Sequence, residues 1–351
     1  MTMTRGVQSW RRAAEVLQAV VLLGLPFLRI QGESAFRFDI PSLRLHFFGT
    51  SLWMDEFFLV FAAVLFLTFL TVLVTLLFGR VWCGWFCPQT VLVDFTRFVD
   101  RLRGKVAAYK LLAYGTTFFI SALVAADLIW YFVSPYEFID RFFAGTLGAI
   151  LWGFWIVLTA ILFLNYAFLR HTFCATVCPY AKLQSVLCDG RTLTIAFDTC
   201  RAHECIECNS CVRACPVGID IRKGASAACI NCAECIDACV TVLGRKQKEG
   251  LIGYFFGRPG ETGKLLRQNV MLIASVTLAS LIFFLYLTLS RAALDVTVLP
   301  NPAFAPRTNT EGTVINSYLL ALQNKSGKTV RLRIRADGAR DAIKVTPDSV
   351  I

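Results

Sequence analysis

Between Cys205 and Cys239 the chain reads CIECNSCVRACPVGIDIRKGASAACINCAECIDAC, in which a C-x2-C-x2-C-x3-C spacing occurs twice. Three thiolates at this spacing wrap three irons of one cubane, and the fourth, carried off by the next turn of chain, reaches a second cluster. Cys205, Cys208, Cys211 and Cys239 are therefore expected to hold one 4Fe-4S cluster, and Cys229, Cys232, Cys235 and Cys215 the other. Zinc sites use two cysteine pairs rather than a doubled run of four, and disulfides need an oxidising compartment. Two clusters this close in sequence form an electron relay. The first run ends in Cys215-Pro216, whereas the second has Val240 in the proline's place. Cys188 and Cys200 fall outside both frames and read as small buried hydrophobes.

A second set of thiols lies earlier. The stretch GRVWCGWFCPQT carries Cys83 and Cys87, and RHTFCATVCPYAKLQ carries Cys174 and Cys178, each pair in a C-x3-C-P motif. Cys83 to Cys174 and Cys87 to Cys178 are both 91 residues apart, and each copy follows a pair of apolar segments. This part of the chain reads as a two-fold repeat of hairpin, motif and following helix. Proline suits the first position of a helix, so Pro88 and Pro179 each start one. After Pro88, Leu92, Phe95, Val99 and Leu102 share one face, while Asp94, Arg97, Arg101 and Arg103 take the other, as in a helix lying in the membrane surface. Cys87 and Cys178 then stand near positive helix ends, which favour thiolate. Four thiols at matched positions suit one soft ion, Cu(I) above all, though a third cluster or a redox dithiol uses the same residues. His171, three before Cys174, either assists them or caps a helix.

These thiols sit in a membrane chain. Of 351 residues 56% are hydrophobic and 30 are phenylalanine, too apolar for a soluble chain of this length. Runs long enough to cross a bilayer occur at about 13–28, 52–78, 111–133, 145–169 and 269–289. The first holds Glu15, Gln18 and Pro26, and lacks a small-residue cleavage site, so it is read as a retained span rather than a signal peptide. Lys and Arg gather at Arg5, Arg11 and Arg12, at Arg80, Arg97, Arg101, Arg103 and Lys105, and at thirteen positions from Arg170 to Arg267. By the positive-inside rule these segments face the cytoplasm and the chain ends in the periplasm. All fourteen cysteines then lie on the reducing side. Topology and anionic lipid account for the net charge of +11, and no nucleic-acid partner is expected.

The expected fold is an α-helical integral membrane protein of five spans with an internal two-fold hairpin repeat. Residues 1–188 form the membrane domain, 189–265 a cytoplasmic ferredoxin-like two-cluster 4Fe-4S domain, 266–290 the fifth span and 291–351 a periplasmic β segment. Within the last, TVINSYLLALQN and KTVRLRIRA read as two strands joined by a turn over 324–328, with Val330, Leu332 and Ile334 alternating with Arg331, Arg333 and Arg335. Such a hairpin is only marginally stable alone. The chain has no nucleotide-binding loop, no H-E-x-x-H and no serine nucleophile motif.

GRVWCGWFCPQT, CPYAKLQS and CPVGIDIRKG together resemble the cytochrome c oxidase accessory proteins of the CcoG/RdxA/FixG family, over nearly the whole chain up to about Leu322. The resemblance implies a five-span protein of the bacterial inner membrane that reduces Cu(II) to Cu(I) for assembly of cbb-type haem-copper oxidases. It makes Cys83, Cys87, Cys174 and Cys178 the copper or redox site and the C-terminal segment a partial immunoglobulin-like domain. It also implies partners: membrane lipid, copper ion, oxidase assembly factors or a copper transporter, a cytoplasmic or quinol electron donor, and a second copy in a homodimer. The alternative is a quinol-oxidising relay similar to the NapH-like and NosR-like membrane ferredoxins, which also join C-x3-C-P repeats to two clusters. A scaffold with purely structural clusters is the third reading.

Overall fold

The computed structural model describes residues 6–30, 32–53, 56–102, 107–257, 259, 267–291, 294–304, 306–308, 314–325, 330–334 and 349–350. Arg5, Arg103, Lys105, Arg335 and most of the expected 324–328 turn lie outside them. The helices are α1 (Val7–Gly24), α2 (Phe57–Phe78), α3 (Val81–Trp85), α4 (Pro88–Phe95), α5 (Phe98–Leu102), α6 (Ala107–Trp130), α7 (Pro135–Phe143), α8 (Ala149–Leu164), α9 (His171–Thr176), α10 (Pro179–Leu187), α11 (Ser210–Ala214), α12 (Glu234–Gly244) and α13 (Gln268–Leu289).

Among the described residues four helices are long and apolar enough to cross a membrane: α2, α6, α8 with its continuation to Leu169, and α13. In hydrocarbon every backbone N–H and C=O must be satisfied within the segment, which makes a helix the only open choice for runs this apolar. The pairs are antiparallel, α2 against α13 and α6 against α8. At one end of α2, Arg267 donates to the Leu76 carbonyl at 2.7 Å. At the other, Arg291 grips Glu56 through two bonds of 2.7 and 2.8 Å. Between α6 and α8, the Trp155 indole donates to the Ala122 carbonyl at 2.9 Å.

The first expected span is not among the four. Its helix starts earlier than the apolar run, at Val7, and takes Arg11, Arg12 and Glu15 into its first turns. Arg11 is 1% exposed and makes its bonds to the motif and cluster segments, while near the far end the Tyr131 hydroxyl donates to the Leu22 carbonyl at 2.6 Å. α1 thus runs from the cluster end of the bundle to the end where α6 finishes. Beyond it, the segment between α1 and α2 forms the hairpin β1 (Arg29–Ile30) with β2 (Glu33–Ser34), and the meander β3 (Phe36–Asp39), β4 (Arg44–Phe47), β5 (Thr50–Trp53). β5 occupies the first residues of the expected second span, which therefore begins at Phe57.

The cysteine-rich segment packs on the opposite end. β6 (Leu193–Phe197) pairs antiparallel with β7 (Ile252–Phe256), and α11 packs against α12. Its core, Ile195, Ile221, Ala233, Ile236 and Ile252, also takes in Val7 of α1, and Trp85 of α3 packs against it. The ferredoxin segment and the membrane part therefore share one core.

At the chain's C-terminal side are β8 (Leu294–Pro300), β9 (Arg307–Thr308), β10 (Val314–Ile315), β11 (Tyr318–Asn324), β12 (Leu332–Arg333) and β13 (Ser349–Val350). The expected hairpin is replaced by another pairing. β11 lies against β8 over seven residue pairs, Tyr318 opposite Pro300 to Asn324 opposite Leu294, and β12 pairs with β13. β8, LDVTVLP, carries little strand signal of its own, because it directly follows an apolar span with no turn signal before it. Lys325, at the end of β11, reaches Asp295 at 3.1 Å and Glu56 at 3.8 Å. Glu56 thus fastens both α13 and the β segment, and Glu56→Ala should cost about 2–3 kcal/mol, as for charged hydrogen bonds. Thermal unfolding of the detergent-solubilised protein measures it; an unchanged midpoint would contradict the clamp.

Candidate functional site

The two C-x3-C-P motifs have matching backbones. α2 ends on Gly79 at φ 61°, ψ −135°, and the 91-residue equivalent, Arg170, closes α8's continuation at φ 50°, ψ −132°. Cys87 (φ −73°, ψ 121°) and Cys178 (φ −59°, ψ 116°) are then the residues before α4 and α10, with Pro88 and Pro179 at the first helical positions. The expected helix starts hold, but the hairpin part of the expected repeat does not: α6 packs against α8, whereas α2 packs against α13 instead of α1. The two motifs differ where their neighbours differ: a Cβ at Gly79 would stand 2.6 Å from the Leu193 carbonyl oxygen of β6. At the equivalent position stands Arg170. Its left-handed turn is pinned by its guanidinium, which donates to Thr96 Oγ1 at 3.2 Å, the Tyr166 carbonyl at 2.9 Å and the Val93 carbonyl at 3.2 Å.

The cysteine runs also repeat in backbone. Glu207 and Asn209 of the first run, and Asn231 and Ala233 of the second, all lie in the left-handed region. L-residues enter it at a cost of roughly 1–2 kcal/mol each. The alternation turns successive N–H groups inward, forming a concave nest that suits an anion such as a thiolate-bound cluster.

Each cysteine run lines a cavity. One is bordered by Cys205, Cys208, Cys211 and Cys239 with Leu243 and Leu251. The other is bordered by Cys215, Cys229, Cys232 and Cys235 with Ile195 and Ile230, and Cys211 touches it too. These are the two sets expected from spacing, including the crossed fourth members. A cubane takes one thiolate on each of four separate irons, so its ligands stand apart around a space rather than meeting at a point. No three His, Cys, Asp or Glu side chains among the described residues, the four motif thiols included, converge as a single-ion site. The donor sets and the apolar walls fit iron–sulfur clusters, which supply one-electron carriers when bound.

The motif thiols abut the second cavity. Cys174, Ile230 and Cys232 form one buried cluster, with Cys83 packed against it. Gly84, between Cys83 and Cys87, touches the Ile230–Asn231 backbone so closely that a Cβ would lie 2.4 Å from the Ile230 carbonyl oxygen. Tyr254 ties the same loop, accepting from the Trp85 indole at 3.1 Å and donating to the Asn231 carbonyl at 2.8 Å. The Cys83 thiol donates to Gln184 Oε1 of α10 at 2.8 Å. Burial raises the Cys83 thiol; burial and the nearby Cys87, Cys178 and Cys83 sulfurs push Cys174 up to about 11. The four thiols are thus neighbours and mutually repulsive as anions. Binding a soft cation there would release protons.

An ionic cluster holds the parts together. Arg11 contacts Glu15 of its own helix at 2.9 Å, Asp94 of α4, and Glu234 of α12 at 3.0 Å, and donates to the Gly84 carbonyl at 2.7 Å. Arg97 bridges Asp94 at 2.9 Å and Glu234, and His171 of α9 bonds Asp94 at 3.2 Å. Gln8 adds its backbone N–H to Asp237 at 3.0 Å and its side chain to the Cys232 carbonyl at 2.8 Å. The expected division of faces fails at Asp94, which is expected on the solvent face but has a 6% exposed side chain. The buried arginine outweighs water as a partner for Asp94. His171 serves this cluster rather than the thiols. Cys188 is half-buried, and Cys200 is exposed rather than buried. Arg11, Glu15 and Glu234 join the motif and cluster segments although spacing did not single them out. Charges inside an otherwise apolar first segment were the available signal.

Membrane helices, a doubled thiolate cavity and an adjoining repeated thiol motif define a membrane iron–sulfur electron-transfer protein. A 4Fe-4S dicluster domain model matches residues 169–204 and 201–256, and a 4Fe-4S binding domain model matches 59–105. The model for the IG-like fold at the C-terminus of FixG matches 284–351, beyond the Leu322 limit expected from sequence. Protein RdxA of Cereibacter sphaeroides is 32% identical over 348 residues, covering 88% of this chain and 74% of that protein. Nitrogen fixation protein FixG of Rhizobium meliloti is 28% identical over 409 residues, covering 91% and 77%. Ferredoxin-type protein NapH of Haemophilus influenzae is 28% identical over 143 residues, covering 39% and 48%. No solved structure matches significantly. The chain belongs to the RdxA/FixG family of membrane polyferredoxins.

Two outcomes test this geometry. Gly84→Ala should destabilise by about 1–3 kcal/mol, as for overpacking, and loosen the second cavity, so that iron content per protein falls; full iron retention at the wild-type melting temperature would contradict the contact. Burial works to raise the Asp94 carboxyl, but the His171 hydrogen bond and the charges of Arg11 and Arg97 hold it well below the usual carboxylate range. Its stabilisation is accordingly complete above an ordinary carboxylate pKa of about 3.9 and lost only as pH falls through the lower folded value. Asp94→Asn should cost about 3–5 kcal/mol at neutral pH, since it leaves buried charge uncompensated. Chemical denaturation at neutral pH and at pH values below that range checks both the size and the direction.

Proposed function

We propose that the protein is a cupric reductase, passing electrons from its clusters to Cu(II) for assembly of a cbb-type cytochrome c oxidase. The observation that supports this reading best is the packing of Cys174 and Cys83 against Ile230 and Cys232, which puts the motif thiols beside the second cavity. In the proposed sequence, Cys205, Cys208, Cys211 and Cys239 hold one 4Fe-4S cluster and Cys215, Cys229, Cys232 and Cys235 the other. Cys83, Cys87, Cys174 and Cys178 receive copper, because thiolates select Cu(I). When bound by its cysteines, each cluster would supply one electron, the change needed to take one Cu(II) to Cu(I).

The reading includes a topology. α1 is the fifth span, since its ends are tied to the two ends of the bundle. The N-terminus and the clusters face the cytoplasm and the β segment the periplasm of a bacterial inner membrane, following the Lys and Arg distribution. Oxidase assembly factors or a copper transporter would take the Cu(I), and a second copy would complete a homodimer.

The test uses anaerobically purified protein with chemically reduced clusters. Adding Cu(II) should reoxidise the clusters and yield Cu(I) captured by a chromogenic chelator. Replacing all four motif cysteines by serine should slow this by about tenfold or more, a loss of roughly 1.4 kcal/mol in barrier lowering, with iron and sulfide unchanged. An unchanged rate in that variant removes the copper role. The partial similarity to NapH favours a second reading, a quinol-oxidising relay feeding a periplasmic reductase. Clusters that reduce with quinol yet do not react with Cu(II) would select it.

A further inference from the structure

At the cluster end of the bundle a third cavity opens beside α1, α4 and α5, with a volume of about 380 Å³, within the range of small-molecule pockets. Its lining includes Glu15, Asp94, Arg12, Val16, Phe95 and Phe98. Glu15 is 6% exposed, and its Oε1 is buried without a hydrogen bond, held only by the Arg11 ion pair. Val16 and Phe95 are, in contrast, 50% and 46% exposed. From Val16 an apolar strip continues through Val20 and Leu23, both exposed and spaced along one face of α1. The cavity thus joins an acceptor-bearing polar interior to an open apolar flank. Gln8 and Arg11, also on its wall, bond directly to the Cys232 carbonyl and to Glu234, the residue before Cys235.

We propose that this cavity is the electron-entry site and binds a membrane-soluble hydroquinone. The ring lies between Phe95 and Phe98, one ring hydroxyl donates to Glu15, Arg12 faces the second oxygen, and the tail runs along Val16, Val20 and Leu23. Oxidation breaks two O–H bonds and yields the quinone, two protons and two electrons. One proton passes to the Glu15 carboxylate and the other to water at the cavity mouth. The two electrons leave singly, one to each cluster, which matches a two-electron donor to a pair of one-electron carriers. This inference rests on the electron-transfer reading but not on copper as the acceptor.

The probes are decylubiquinol and a photoreactive azido-ubiquinone, used on the intact detergent-solubilised protein. Decylubiquinol should reduce the clusters without copper present, and irradiated azido-ubiquinone should label peptides carrying Val16 and Phe98. Val16→Trp, which fills the exposed side of the cavity, should slow quinol-driven reduction by about tenfold and abolish that label. Its iron content and its reduction by dithionite should be unchanged. Clusters that decylubiquinol leaves oxidised, or a rate and label unaffected by Val16→Trp, would overturn the proposal. Dithionite-driven Cu(II) reduction, which bypasses this cavity, separates its failure from failure of the copper reading.

Discussion

The arrangement depends on one buried guanidinium. Arg11 is enclosed by Glu15, Asp94 and Glu234 while its Nε–H holds the Gly84 carbonyl. An isolated cation at such a depth is costly, so the three carboxylates and the backbone acceptor are required together. They come from three separate parts: the N-terminal helix, the first motif and the helix that carries Cys235 and Cys239. Through His171 the second motif joins as well. A buried ion pair is weak evidence for added stability, but this one fixes relative position, the role best attested for such groups.

Fixed position is what electron transfer needs. The thiols of both motifs and the loop from Cys229 to Cys232 meet across apolar and backbone contacts, and Gly84 has no side chain because backbone occupies the space one would fill. The cysteine runs line the two cavities without any contribution from the membrane helices. Thus the cluster segment sets its own cavities, whereas its relation to the motif thiols is set by the ionic cluster. Those two tasks use different residues.

Local spacing made much of this legible. The cysteine runs specified both cavities, with their crossed fourth members, because cluster ligation constrains sequence within a few residues. The 91-residue repeat likewise marked Cys87-Pro88 and Cys178-Pro179 as helix starts, since proline's missing N–H is harmless there. What was not legible came from distant partners. Asp94 looks solvated when only its own helix is considered, and Arg11 lies 83 residues from it in sequence. β11 found β8 rather than its sequence neighbour because strand pairing is decided by available edges, and Glu56, Asp295 and Lys325 bring that edge into place.

The central claim is that electrons leave through the cluster nearer the motif thiols. Freeze-quench electron paramagnetic resonance on fully reduced protein mixed with one equivalent of Cu(II) tests it most directly, with the two cluster signals assigned by ligand substitution. The account predicts that the Cu(II) signal and the signal of the cluster held by Cys215, Cys229, Cys232 and Cys235 disappear together, before any loss from the other. Disappearance of Cu(II) while that cluster stays reduced would contradict it.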